Sequence, residues 1–229
     1  MEDSNYRYER KYRVTELSYS ELLNTIYCSP FLFREIYSQR TVNNIYLDNF
    51  DLINYFDNVD GYSKRRKTRI RWYDYDHEKI NYPQLEFKVK QGHVGFKKIY
   101  PLKAFKFKKG FSRDNLMEVF KNSNLPNEIK EVLFHLRLSL YNKYQRRYFV
   151  SSDNHFRITL DKNLEYFELK DCANYFLAKR SDVGVSILEL KYNSNYSSEA
   201  SKIIDKFAFR MTKNSKYVSG ISSFLNSID

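Results

Sequence analysis

In four stretches of this chain, charged side chains return at every second position. Glu9, Lys11 and Arg13 alternate with Tyr8, Tyr12 and Val14. Arg69 and Arg71 flank Ile70, Glu86, Lys88 and Lys90 alternate with Phe87 and Val89, and Glu189 and Lys191 oppose Leu188 and Leu190. An extended strand points every second side chain the same way, so each stretch carries one charged face and one apolar face. Arginine offers a planar fork of donors that suits phosphate oxygens, and lysine a compact charge. Phosphoryl transfer depends on positioning and charge neutralisation more than on covalent help from the protein, and a set of such cations supplies both. The four histidines, His77, His93, His135 and His155, follow neither a metal-ligand nor a triad spacing. They are expected in loops, at the surface or in the core.

Composition narrows the partner. The 229 residues hold 39 Lys plus Arg against 28 Asp plus Glu, a net charge of +11, which points to a polyanion: nucleic acid, acidic membrane or a phosphate chain. With 21 Tyr and 18 Phe the chain can bury enough area to fold, which excludes a disordered basic tail. Six glycines argue against a glycine-rich nucleotide loop. Met1-Glu2-Asp3-Ser4-Asn5 lacks the basic and apolar regions of a secretory signal, and no run of 18 apolar residues could span a bilayer. Cys28 and Cys172 have no C-x-x-C or Cys/His partner spacing and are expected to be buried or incidental thiols. A cytoplasmic setting fits these features.

The elements that must carry the charged positions follow from periodicity. Polar and apolar residues alternate in Tyr6 to Val14, Val42 to Asp48, Lys67 to Tyr75, Gln84 to Lys90, Val94 to Pro101, Tyr144 to Ser151, Phe156 to Asp161, Leu164 to Leu169 and Val185 to Tyr192. Helical spacing is found in Ser20 to Cys28, Pro30 to Tyr37, Ser112 to Lys121 with Ser112 as N-cap, Pro126 to Leu138 and Ser197 to Met211. Eight or nine strands interrupted by helices predict an α+β fold with a largely antiparallel sheet, as one domain over residues 1–229. The charged faces have two readings. An antiparallel sheet can keep one wet side; alternatively, the sheet closes into a barrel of about eight strands, wide enough for one ligand, with the charges inside and the apolar side under the helices. Like charges on neighbouring strands repel unless something anionic separates them, which favours the second.

These residues resemble the triphosphate tunnel metalloenzymes, and within them the catalytic domain of the vacuolar transporter chaperone (VTC) polyphosphate polymerases. The resemblance runs from Glu9 to about Ile221. It rests on Glu9-Lys11-Arg13, Arg69-Ile70-Arg71-Trp72-Tyr73, Glu86-Phe87-Lys88, Arg146-Arg147-Tyr148-Phe149, Arg157-Ile158-Thr159-Leu160-Asp161, Leu188-Glu189-Leu190-Lys191-Tyr192 and Lys213-Asn214-Ser215-Lys216-Tyr217. It implies an antiparallel barrel forming a tunnel, with Lys11, Arg69, Arg71, Lys88, Arg146, Arg157, Lys213, Ser215 and Lys216 on phosphate and Glu189 on Mn²⁺ or Mg²⁺. Glu9 and Glu86 would be further metal contacts or would orient the cations. Lys97 or Lys98 stands for another basic position, and Arg146 is favoured over the oppositely pointing Arg147. Seven of these residues, Lys11, Arg69, Arg71, Lys88, Arg146, Arg157 and Lys216, would act directly in transfer.

The resemblance further implies ATP and inorganic polyphosphate or pyrophosphate as partners. Triphosphatases of the wider superfamily begin with an E-x-E-x-K pattern, and here Lys11 takes the second acidic position, which places synthesis above hydrolysis. The alternatives are a triphosphatase of the same fold and, in another class, a non-catalytic polyphosphate or nucleic-acid binder. Lys64 to Lys67 and Lys103 to Lys109 are the basic stretches such a binder would use. They could equally be solvated turns or guides for an emerging polyanion.

Overall fold

Because alternating sequences bury one face, the strands dominate the chain. The structure, a computed structural model, describes residues 7–73, 79–91, 94–205 and 209–226. Its strands are β1 (Arg7–Val14), β2 (Arg34–Asp48), β3 (Lys64–Tyr73), β4 (Lys79–Ile80), β5 (Gln84–Gln91), β6 (Val94–Pro101), β7 (Phe105–Lys106), β8 (Arg137–Val150), β9 (Arg157–Glu168), β10 (Lys179–Asp182) and β11 (Ser186–Asn193). The helices are α1 (Tyr19–Tyr27), α2 (Ile53–Val59), α3 (Arg113–Asn122), α4 (Asn127–Phe134), α5 (Ser197–Asp205) and α6 (Lys216–Leu225). The main sheet has the order β1-β11-β9-β8-β2-β3-β5-β6, with β10 beside β9, and β4 pairs with β7 in a second sheet. The fold is α+β. In the main sheet β1 with β11, β11 with β9, β2 with β3, β3 with β5 and β5 with β6 all run antiparallel.

Two compact units share this sheet. The first comprises residues 1–40, 144–164 and 182–214, the second residues 41–143, 165–181 and 215–229. No Pro- or Ser-rich linker marks the division, because β2, β8 and β9 each continue from one unit into the other. In the first unit Tyr12, Val14, Ile158, Leu160, Leu188 and Leu190 form the apolar face of the strands, packed with Leu22 and Ile26 of α1 and Ala200 and Ile203 of α5. In the second, Ile45, Ile70, Trp72, Leu85 and Phe87 pack with Leu116 and Phe120 of α3 and Leu133 of α4. Apolar strand faces under helices are the arrangement the alternation predicts.

Among the described residues the hydrogen-bonded strand order runs from β1 to β6 without a further ladder that closes it. At β1 the reason is local: Thr212 N donates to Lys11 O (2.8 Å) and Arg13 N donates to Thr212 Oγ1 (3.1 Å), so the edge is already engaged by the chain leading into α6.

Other expectations shift. Pro30 to Tyr37, expected as helix, is a turn followed by the start of β2, with Phe33 anchored in the first core. The helix expected over Ser197 to Met211 is α5, ending at Asp205, and residues 209–215 are neither helix nor strand. The helix expected to Leu138 ends at Phe134, where β8 soon takes over. Phe156 to Asp161 and Leu164 to Leu169 are essentially one strand, β9. Ser112 caps α3, as expected, through a reciprocal box with Asn115.

The second unit places α6 on the polar side of its strands. Tyr217 stacks on Tyr46 at 4.9 Å between centroids, and its hydroxyl donates to Asp48 Oδ2 (2.5 Å). Buried Asp48 also accepts from Tyr55 N and from Asn54 N and Nδ2, holding the start of α2. Gly220 permits the close approach of α6, since a Cβ there would collide with the side chains of Leu140 and Tyr166. We therefore expect Gly220→Ala to destabilise the protein by about 1–3 kcal/mol through overpacking, read as a lower urea midpoint. An unchanged midpoint would show that α6 is not packed this closely.

Candidate functional site

Register decides which charges meet. In the first unit, Lys11 of β1 lies opposite Glu189 of β11, Glu9 opposite Lys191, and Glu189 in turn opposite Thr159 of β9. Lys11 Nζ is 3.4 Å from both Glu9 Oε1 and Glu189 Oε1, and Lys191 Nζ is 3.6 Å from each of the same two carboxylates. Arg146 of β8 grips Asp161 with Nε at 2.5 Å and Nη2 at 2.7 Å, and reaches to 4.0 Å from Glu189. Asp161 is fully buried. Burial alone would favour neutral Lys11, yet Glu189 and Glu9 more than reverse it and raise its pKa. Arg146 is likewise opposed by burial and raised by Asp161.

The second unit repeats the scheme with other strands. Arg69 of β3 lies opposite Glu86 of β5, and Lys67, Lys88 and Lys97 face one another in a row across β3, β5 and β6. Glu86, only 2% exposed, accepts from Arg69 Nε at 2.7 Å and pairs with Lys97 Nζ at 2.5 Å. Burial alone would raise the Glu86 pKa, but Arg69, Arg71 and Lys97 outweigh it and hold it down at about 2. Arg71 Nε donates to Asn44 Oδ1 (2.8 Å), and Asn44 Nδ2 donates to Asn142 Oδ1 (2.8 Å). Lys67 Nζ donates to Ser215 Oγ (2.8 Å), the cap of α6, where Lys216 is buried.

The expected site residues divide between the two units. Lys11, Glu9, Glu189 and Arg146 form one network in the first unit. Arg157 lies opposite Lys191 but is exposed, and Lys213 is exposed on the segment beside β1. In the second unit Arg69, Arg71, Glu86 and Lys88 occupy one strand face, with Ser215 joined to it through Lys67 and Lys216 next in α6. Of the two candidates in β6, Lys97 pairs with Glu86, whereas Lys98 lies opposite Phe87 on the other face. Arg147 points away from Arg146 and pairs with Glu35. The burial of Glu86, Glu189, Arg71, Arg146 and Asp161 rules out an open wet face. His135 and His155 lie at a helix end and on the surface, while His77 and His93 lie outside the described residues. Cys28 and Cys172 are both exposed, so of the two expectations the buried one fails.

Sequence reasoning missed the roles of Lys67, Asn44, Asn142, Lys191 and Asp161. Lys67 and Lys191 share the parity of Arg69 and Glu189. The pair Asn43-Asn44 inside apolar Val42 to Leu47 was the available signal for a buried polar contact.

Among the described residues, no three His, Cys, Asp or Glu side chains group as a metal centre. Magnesium and manganese, however, take one or two carboxylates and fill the remaining positions with phosphate oxygens and water. Glu9 and Glu189, both bracketing Lys11, fit that donor set. Thr159 Oγ1, opposite Glu189, is buried with no hydrogen-bond partner among the described residues.

Fold and site together define an α+β protein with an antiparallel sheet whose inner-type face is cationic and threaded with acids. The chain belongs to the VTC domain family, which matches residues 6–225. Among solved structures it resembles a Vibrio parahaemolyticus protein provisionally described as an adenylate cyclase, with a TM-score of 0.53 and 12% identity over 94% of this chain and 98% of that one. A Pyrococcus horikoshii OT3 protein gives a TM-score of 0.50 and 10% identity, covering 97% and 99%. A conserved hypothetical protein of Pyrococcus furiosus gives 0.50 and 12%, covering 93% and 100%. At such identities these likenesses show the fold. No curated protein matches in sequence. No described helix is long and apolar enough to cross a membrane.

The ion pairs make stability depend on pH and on particular arginines. The folded Glu86 pKa of about 2 lies below the unfolded value of about 4.3. Its stabilisation, on the order of 2–3 kcal/mol, is therefore present above about pH 5 and lost as pH falls towards 2. Urea unfolding across that range should show this slope in the wild type and not in Glu86→Gln, and equal slopes would refute the assignment. Arg146→Ala removes the bidentate partner of buried Asp161 and should cost about 3 kcal/mol or more, whereas Arg157→Ala, at an exposed position, should change the midpoint little.

Proposed function

We propose that this chain is a polyphosphate polymerase that transfers the γ-phosphate of ATP to the end of a growing inorganic polyphosphate chain. The observation that carries the reading is the row Lys67, Lys88 and Lys97 on adjacent strands beside Arg69 and Arg71. Like charges set directly opposite repel unless something anionic separates them, and a run of phosphates would do so. Family membership supports the same substrate class.

In the proposed reaction a terminal oxygen of the polyphosphate attacks the γ-phosphorus, the bond from that phosphorus to the β–γ bridging oxygen breaks, and ADP departs with the electron pair. The chain grows by one phosphate, and no side chain is phosphorylated. Arg69 and Arg71 act as forks on phosphate oxygens, fixed by Glu86 and Asn44 respectively. Lys67, Lys88, Lys97 and Lys216 neutralise charge. In the first unit Lys11, Arg146, Arg157 and Lys213 bind phosphate, and in the second Ser215 contributes beside Lys67. Mn²⁺ or Mg²⁺ held by Glu189 and Glu9 would supply further charge neutralisation on the phosphates. Glu9 also pairs with Lys11 and so orients it. Lys11, where a hydrolase of this superfamily carries an acid, favours synthesis over hydrolysis.

Incubation with ATP and Mn²⁺ should yield polyphosphate, seen as internal phosphates by ³¹P NMR. Arg71→Ala and Glu189→Ala should reduce the rate on the order of 100-fold. Free phosphate without chains would instead identify a triphosphatase. Independently, tripolyphosphate at about a hundred times its Kd should raise the melting temperature by roughly 5–10 °C, and an unshifted melt would count against phosphate binding altogether.

A further inference from the structure

The stretch Lys103 to Lys109 follows its own alternation, and the structure separates its two faces. Phe105 and Phe107 are buried and join Phe111 in the second core: Phe107 stands edge-on to Trp72, Tyr141 and Phe176, and Phe105 lies 5.7 Å from Phe111. Lys103, Lys106, Lys108 and Lys109 are consequently all turned outward. They line a cavity of about 580 Å³, closed on one side by Asn115 and Asn122 of α3. The short strand β7 adds a fifth charge, because Lys106 lies directly opposite Lys79 of β4. One acid, Glu118, lines the cavity, and among the described residues none of the four lining lysines makes an ion pair with a carboxylate.

We propose that this cavity is a second anion site, separate from the strand-face residues above, that holds several consecutive phosphates of a linear inorganic polyphosphate. Four lysines around a volume in the usual range for ligand pockets, with a like-charged pair across a ladder, call for a multivalent anion rather than a single one. The aromatic rings of the stretch decide between a bare phosphate chain and a single-stranded nucleic acid. Nucleic-acid grooves pair their cations with exposed rings on which bases stack, and here Phe105, Phe107 and Phe111 are all committed to the core. Besides Glu118 and the edges of these buried rings, the lining offers chiefly ammonium groups and amides. The other basic stretch, Lys64 to Lys67, lies in β3, where Lys67 already belongs to the strand-face row opposite Lys88. The choice of polyphosphate rests on the polymerase reading, which makes that polymer the product. The site would retain the growing chain near the enzyme between additions.

The test is direct binding of purified medium-chain polyphosphate, without ATP, by fluorescence anisotropy over a salt series. Replacing Lys103, Lys106, Lys108 and Lys109 together with Ala should weaken binding at least about tenfold and flatten the log–log salt slope by about 0.7 for each phosphate that is no longer neutralised. Tripolyphosphate, short enough for the strand-face cations, should still bind and raise the melting temperature as in the wild type. The fourfold Lys→Arg variant should bind as the wild type does. Should the alanine variant fail to fold, Lys106→Gln with Lys108→Gln reads the same weakening on a smaller scale. Unchanged medium-chain affinity and slope would overturn the proposal, as would single-stranded RNA that polyphosphate cannot displace. If no chains form from ATP while the lysine variants still lose medium-chain affinity, the polymerase reading fails and this site stands.

Discussion

Buried charge must be compensated, and the rest of this structure depends on how the compensation is arranged. Removing an ionised group from water is costly unless partners replace the lost hydration. Glu86 supplies those partners in the second unit, and Glu9, Glu189 and Asp161 supply them in the first. Their number is smaller than that of the bases around them. The acids hold the cations in place along the strand faces, and a face so arranged is the setting for the phosphate binding proposed above. The depressed Glu86 pKa and the raised Lys11 pKa express the same balance from its two sides.

Both units solve the packing problem alike. Each buries the apolar side of its strands beneath helices, α1 and α5 in the first and α3 and α4 in the second. Once those helices cover the greasy side, period-two alternation sends Lys11, Arg71, Lys88 and Glu189 to the opposite one. In the second unit α6 then lies on that polar side. The helix is admitted by Gly220 and anchored through Asp48, which also holds the start of α2. Ser215 and Lys216, at its first turn, are thereby fixed by a buried carboxylate far from them in sequence.

What could be read in the chain beforehand was whatever is local. The period of two identified the strands that carry Lys11, Arg71, Lys88 and Glu189, and Ser112 announced α3. The family followed from seven short motifs in order. Elements whose cause is distant stayed hidden. α2 is capped by Asp48 from outside its own segment and leaves Ile53, Phe56 and Val59 exposed, so no amphipathic stripe signals it. At the start of β2 the spacing of Phe33, Ile36 and Tyr37 suits either period, so the sequence alone points there to helix. The partners of the cations, Asn44 for Arg71 and Asp161 for Arg146, depend on register between strands, which one sequence does not display.

An open sheet of this length ends in two rows of unsatisfied backbone groups, and such rows invite a foreign strand to add itself. The protein forestalls this differently at each end. Thr212 occupies Lys11 O and Arg13 N at β1 with the molecule's own chain. At β6 the edge carries lysines, Lys97 on one face and Lys98 on the other, and charged side chains on an edge strand oppose the approach of another. The positive charge that crowds the strand faces thereby also works against the addition of one copy's edge to another's.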